Sequence, residues 1–80
     1  MQSVSLRWEN PISCRYYLAY LHQDLFGNWV ITTAWGRINS SLGRVVHTGC
    51  ESYEHGTAQL QKLKRRREQH LYLLCYEKSG

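Results

Sequence analysis

Only a few of the side chains in this 80-residue sequence are of types that could do chemistry. Cys14, Cys50 and Cys75 are odd in number and far apart, and no Cys-x-x-Cys or Cys/His pair has the spacing of a zinc site. They read as small apolar fillers, not as nucleophiles, because no histidine is placed to form a catalytic pair with any of them. His22, His47, His55 and His70 are scattered with no i, i+4 pair on one helix face, so surface or capping roles are expected and no metal is implied. The six acidic residues are dispersed, which leaves a two-carboxylate mechanism without support, and no glycine-rich phosphate loop is present. The chain therefore reads as a non-enzyme without a cofactor. Two features remain: Trp35-Gly36-Arg37, and a run that gathers five of the ten cations, namely Lys62, Lys64, Arg65, Arg66 and Arg67.

These residues suit a nucleic acid. A tryptophan face can stack on a base or sugar, a contact worth about 1–3 kcal/mol per base. Arginine presents a rigid fork of donors to phosphate, and Gly36 between them lets a backbone approach closely. Two residues apart on a strand, Trp35 and Arg37 point to one side. The other reading of the same residues makes Trp35 a core residue with Arg37 packed over it, and the basic run a solvated helix face. The charge balance, +4 with a pI near 9.2, fits an anionic partner.

Positioning these groups takes a small sheet and a helix. Val4, Leu6 and Trp8 alternate with polar residues as in a half-buried strand, which Asn10-Pro11 ends. A second strand runs from Arg15 to His22, with Tyr17, Ala19 and Leu21 on one face and Tyr16, Leu18 and Tyr20 on the other. Both faces are apolar or aromatic, so it reads as a central strand whose second face is partly covered by a ligand or partner. After a turn over Gln23–Asn28 comes a third strand, Trp29 to Ile38, rich in β-branched and aromatic residues. A turn at Asn39–Gly43 leads to a fourth strand from Arg44 to about Thr48. Ser52 is the expected helix N-cap; His55 stands where a capping box needs Glu or Gln, so that motif is read as absent. Tyr53, Gly56, Leu60 and Leu63 form a stripe facing the sheet, and its continuation falls on Arg67. Either the helix frays there or the arginine stem follows the core edge with its guanidinium outward. Lys62, Arg65 and Arg66 fall on the solvent side. Leu71 to Tyr76 reads as a final strand, unusually apolar for an edge. The expected fold is α+β: a small antiparallel sheet of four to five strands with one helix on one face, as a single domain over residues 1–80.

In that setting Trp35-Gly36-Arg37 becomes specific. Leu25-Phe26-Gly27-Asn28-Trp29 precedes it by a strand's length, Ile38 follows, and Gly43 closes the next turn before a strand, a helix opening at Ser52 and a basic helix end. Over roughly Leu6 to Tyr72 the chain resembles the WGR domain, especially short bacterial versions with a Leu-Phe-Gly-x-Trp element. It departs at Asn39, where the family usually has glycine, although asparagine tolerates positive φ. It departs at Gly56, where alanine is common, which should weaken the helix by about 1 kcal/mol. The family's basic run ending in Gly-Tyr becomes Lys-Arg-Arg-Arg-Glu-Gln-His-Leu-Tyr.

The resemblance implies a nucleic-acid-binding module. In poly(ADP-ribose) polymerases the similar domain engages DNA near a strand break; the motif tryptophan packs on a terminal nucleotide and the motif arginine couples DNA contact to neighbouring domains. Carried over, those roles fall on Trp35 and Arg37, and the expected interface is Trp35, Gly36, Arg37, Lys62, Arg65 and Arg66, with DNA as the partner. The alternative is a protein-interaction or homodimerisation module using Tyr16, Leu18 and Tyr20 with the Leu71–Tyr76 strand. A third reading is a structural remnant working beside a separate catalytic protein. With neither a signal peptide nor an apolar run near 18 residues in the sequence, no membrane is expected as partner, and a cytoplasmic location with reduced thiols is expected.

Overall fold

The alternation of apolar residues becomes, in the computed structural model, which describes residues 3–79, one antiparallel five-stranded sheet with a helix across one face. The strands are β1 (Val4–Asn10), β2 (Arg15–Gln23), β3 (Trp29–Arg37), β4 (Gly43–Cys50) and β5 (Leu73–Ser79), and the helix α1 is Tyr53–Gln69. Their order is β4-β3-β2-β1-β5. Only the last crosses over: α1 carries the chain from edge β4, past three strands, to the far side of β1. β2 is the central strand, as its double apolar character suggests.

Register fixes the two faces. Leu6 stands opposite Ala19, Leu21 opposite Ile31, and Trp8 opposite Tyr17. Leu6, Trp8, Ala19, Leu21, Ile31 and Leu60 of α1 make the core, with Trp8 and Leu21 wholly buried and Tyr17 packed against it. Burying one leucine of this kind contributes about 2 kcal/mol. Gly56 permits the close approach: a Cβ there would lie 2.5 Å from Leu21 Cδ1. The glycine that lowers helix propensity is therefore also the one that lets the helix seat on β2.

Both helix ends are built locally. Ser52 is extended, and its Oγ accepts the His55 N–H at 3.1 Å. His55 Nδ1 in turn accepts the Glu51 N–H at 3.2 Å. A capping box in the strict sense is absent, as expected, but an imidazole supplies a returning acceptor one residue farther out than a glutamate would. At the other end Tyr72 N–H donates to Arg67 O and Leu71 N–H to Glu68 O, with Leu71 at φ 66°. This is a Schellman ending with leucine at the left-handed position, where the family's usual run has glycine. It ends α1 at Gln69 and delays β5 to Leu73, against an expected strand from Leu71.

The other turns follow their polar residues. Asn10 Oδ1 accepts the Ile12 and Ser13 N–H groups, and Asp24 Oδ1 accepts those of Phe26 and Asn28, with Gly27 at φ 83°. Asn39 takes φ 66°, as expected of asparagine in place of glycine. The cysteines correct the filler reading. Cys14 and Cys75 are exposed, the latter at the bulge where β5 slips against β1, and only Cys50 packs against the core.

Candidate nucleic-acid interface

Across the helix-side face runs one cross-strand row: Leu74, Trp8, Tyr17, Trp35 and Arg44, from β5 to β4. Trp8 is buried and meets Tyr17 edge-on at 6.0 Å; Tyr17 stacks on Trp35 at 5.8 Å with 12° between planes. Burial fades along the row. Trp35 is half-buried and joined to the core through Tyr17, so it is neither a core residue nor a free surface ring.

The next positions toward the sheet end are Arg15 and Arg37, directly paired across β2 and β3 and both exposed. Arg44, exposed on β4, is the cross-strand partner of Trp35. Pleating puts all three arginines on the side of Trp35. None forms an ion pair with a described residue. Like charges directly opposite on adjacent strands are destabilising, so this corner holds uncompensated positive charge around an aromatic plane. Arg15 and Arg44 were missing from the sequence-based interface. Residues 22 positions apart, such as Arg15 and Arg37, meet only through register, and the signal available was that a hairpin pairing would set them opposite.

Arg67 is the clearest correction. Its guanidinium lies 4.5 Å above the Tyr17 ring and 5.6 Å from that of Tyr72, with Nε buried and lacking a hydrogen-bond acceptor among the described residues. The group turns inward onto aromatics, not outward to water. A desolvated cation over a ring gains about 2 kcal/mol, and here it clamps the helix end onto Tyr17 of β2, the ring on which Trp35 stacks.

Of the predicted helix cations, Lys62, Arg65 and Arg66 are all exposed. Lys62 and Arg66 border a shallow depression with Gln59 and Leu63. Gln59 and Leu63 also border the groove of about 350 Å³ between α1 and the β3–β4 side of the sheet, beside Tyr17 and Thr33. That flank lies over the same face as Trp35. Arg65 projects from the outer surface of the helix. Lys64 faces the other flank, where its Nζ is 3.6 Å from Glu77.

Gly36 accommodates a close approach within the protein itself. A Cβ on it would meet Leu42 O at 2.9 Å and Tyr16 Oη at 3.2 Å, and one on its partner Gly43 would meet Tyr16 Oη at 3.0 Å. The backbone that approaches is the protein's own turn, on the face opposite Trp35, where Tyr16 lies across the two glycines.

That opposite face carries no helix. Tyr16 and Leu18 are half-buried and Tyr20 is 42% exposed. Arg7 sits 5.1 Å above Tyr16 while pairing with Glu9, and Tyr20 stacks on His22. Thr32 Oγ1 links His22 and His47 at 2.9 and 2.8 Å. The three predicted partner-binding residues share this face, but polar groups divide it. Among the described residues no three metal-ligating side chains converge, and no helix is long and apolar enough to cross a membrane.

The fold is a small α+β module that holds an aromatic ring among arginines that no described acidic residue pairs. The WGR domain matches residues 6–75, and the chain belongs to that family. WGR domains are generally nucleic-acid-binding modules and not catalytic ones. No curated protein and no solved structure is significantly similar to the chain.

Proposed function

We propose that the protein binds DNA through the corner formed by Trp35, Arg37, Arg15 and Arg44, with Lys62, Arg65 and Arg66 adding phosphate contacts from the helix. The observation that carries this reading is the placement of Trp35, half-buried on Tyr17 and next to three arginines that no described acidic residue neutralises. Such a site takes an aromatic or sugar face together with phosphates, as a nick or strand end presents them. Gly36 serves indirectly, by letting the β3–β4 hairpin close beneath Tyr16.

The test is fluorescence anisotropy of DNA with a 5′-phosphorylated nick against an intact duplex of equal length, at two salt concentrations. Nick preference and a slope of log K on log salt of roughly −3 are expected, for three to four phosphate contacts. Trp35→Ala should abolish the nick preference, and Arg37→Ala should weaken binding and reduce the slope by about 1. Salt-independent binding, or none at low salt by a folded protein, rejects the proposal and turns attention to a protein partner on the Tyr16, Leu18 and Tyr20 face.

A further inference from the structure

The sheet has two edges, and they are built differently. β5 is protected: it carries a bulge at Cys75 and has Glu77 and Lys78 among its last three residues, devices that discourage another strand from adding. β4 has neither a bulge nor a proline, and its register with β3 is unbroken over eight residues from Gly43 to Cys50. Every residue of it from Gly43 to Gly49 is exposed, with Val45 60% and Val46 44% accessible. Antiparallel pairing with one neighbour leaves alternate N–H and C=O groups of such a strand directed outward.

We propose that β4 is a docking edge for an extended acidic segment of a partner protein, which adds antiparallel to it as a sixth strand. Charge complementarity selects this occupant over a second copy. Arg44, Val46, Thr48 and Cys50 alternate on the helix side, and the face they share carries Arg37 beside Arg44, with Lys62 and Arg66 on the helix flank. Two copies, each with net charge +4, would bring like charge together. An antiparallel guest instead ends near Arg44, so its carboxylates belong at its C-terminal end and β-branched residues lie opposite Val46 and Thr48. This reading is independent of DNA binding, although Arg44 would be shared and the two ligands would compete.

The probe is an acetylated, amidated octapeptide in which valine and threonine alternate and the last two residues are glutamate. Two further versions carry N-methyl groups on all valines or on all threonines. In a strand added to an edge, one set of N–H groups faces the edge and the other faces water. One methylated peptide should therefore lose roughly tenfold or more in affinity, for two or three lost hydrogen bonds, while the other binds like the parent. Hydrogen exchange should slow at β4 amides and not at β5, and replacing the two glutamates by lysine should abolish binding. Arg44→Gln should weaken the parent peptide several-fold. Equal behaviour of the two methylated peptides overturns the proposal, because it means that charge alone attracts the peptide. So does the absence of binding at millimolar peptide. Protection of β4 that grows with protein concentration without peptide also overturns it, by assigning the edge to a second copy.

Discussion

The helix-covered face of the sheet has two ends made from the same strands. At one end Leu21, Ile31 and Leu60 close on each other, and Gly56 of α1 rests on Leu21. At the other, Tyr17 and Trp35 lead outward from Trp8 to Arg15, Arg37 and Arg44, none of them ion-paired with a described residue. The first end satisfies itself. The second holds a charge cluster that no described residue neutralises, and this asymmetry separates scaffold from candidate site more sharply than any single residue type.

The comparison breaks if damage at the closed end changes binding directly. Leu60→Ala should cost about 3 kcal/mol of stability, since it removes a buried side chain and leaves a cavity. Urea unfolding measures the loss. DNA affinity per folded molecule should stay within about twofold, because Leu60 is buried in the core and belongs to no part of the proposed interface. Gly56→Ala comes next. Alanine gains about 1 kcal/mol in helix propensity, but its Cβ would meet Leu21 at 2.5 Å, and overpacking costs about 1–3 kcal/mol. A net loss of about 1 kcal/mol is expected from these two terms. The same change in a Leu21→Ala background should be neutral or stabilising, and the double-mutant cycle reads the clash alone.

The closed end is also the part that sequence makes legible. Period-two alternation grouped Leu6 with Trp8 and Ala19 with Leu21, and the helical stripe included Leu60; register then brings these groups and Ile31 onto one face. Ser52 was readable as a cap because its side-chain oxygen needs only a nearby backbone N–H. What escaped depends on register or on reach. Arg15 and Arg44 join Trp35 only once three strands are aligned. Arg67 follows the buried stripe as an ordinary helix residue would, but whether its guanidinium turns in or out is decided by Tyr17 and Tyr72, which lie far away in sequence. The start of β5 was misread because Leu71 is a leucine doing a glycine's work, and composition gives no hint of its positive φ.

That residue gives the next prediction. Leu71 lies beside the open end, following Arg67 and mostly exposed, so its side chain contributes little by burial. A non-glycine residue in the left-handed region is strained by about 1–2 kcal/mol. Leu71→Gly should therefore raise stability by about 0.5–1 kcal/mol after glycine's larger unfolded-state entropy is subtracted. Thermal denaturation shows it as a higher midpoint, and an unchanged or lower midpoint would mean that Leu71 makes a contact worth more than the strain.

The smallest effect sharpens the comparison most. Arg15 and Arg37 face each other across β2 and β3 with no described acid between them. Arg15→Gln removes the repulsion and keeps the stem, so the protein should gain about 0.5 kcal/mol at low salt. The gain should fade toward zero at about 1 M salt, where screening reaches only about 3 Å. DNA binding should move the other way, weakening with a salt slope shallower by about 1, because one phosphate contact is gone. At the closed end stability can be lost without changing affinity per folded molecule; at this corner one substitution raises the first and lowers the second. If Arg15→Gln destabilises the protein, the pair is held by something other than an incoming anion, and the corner is scaffold after all.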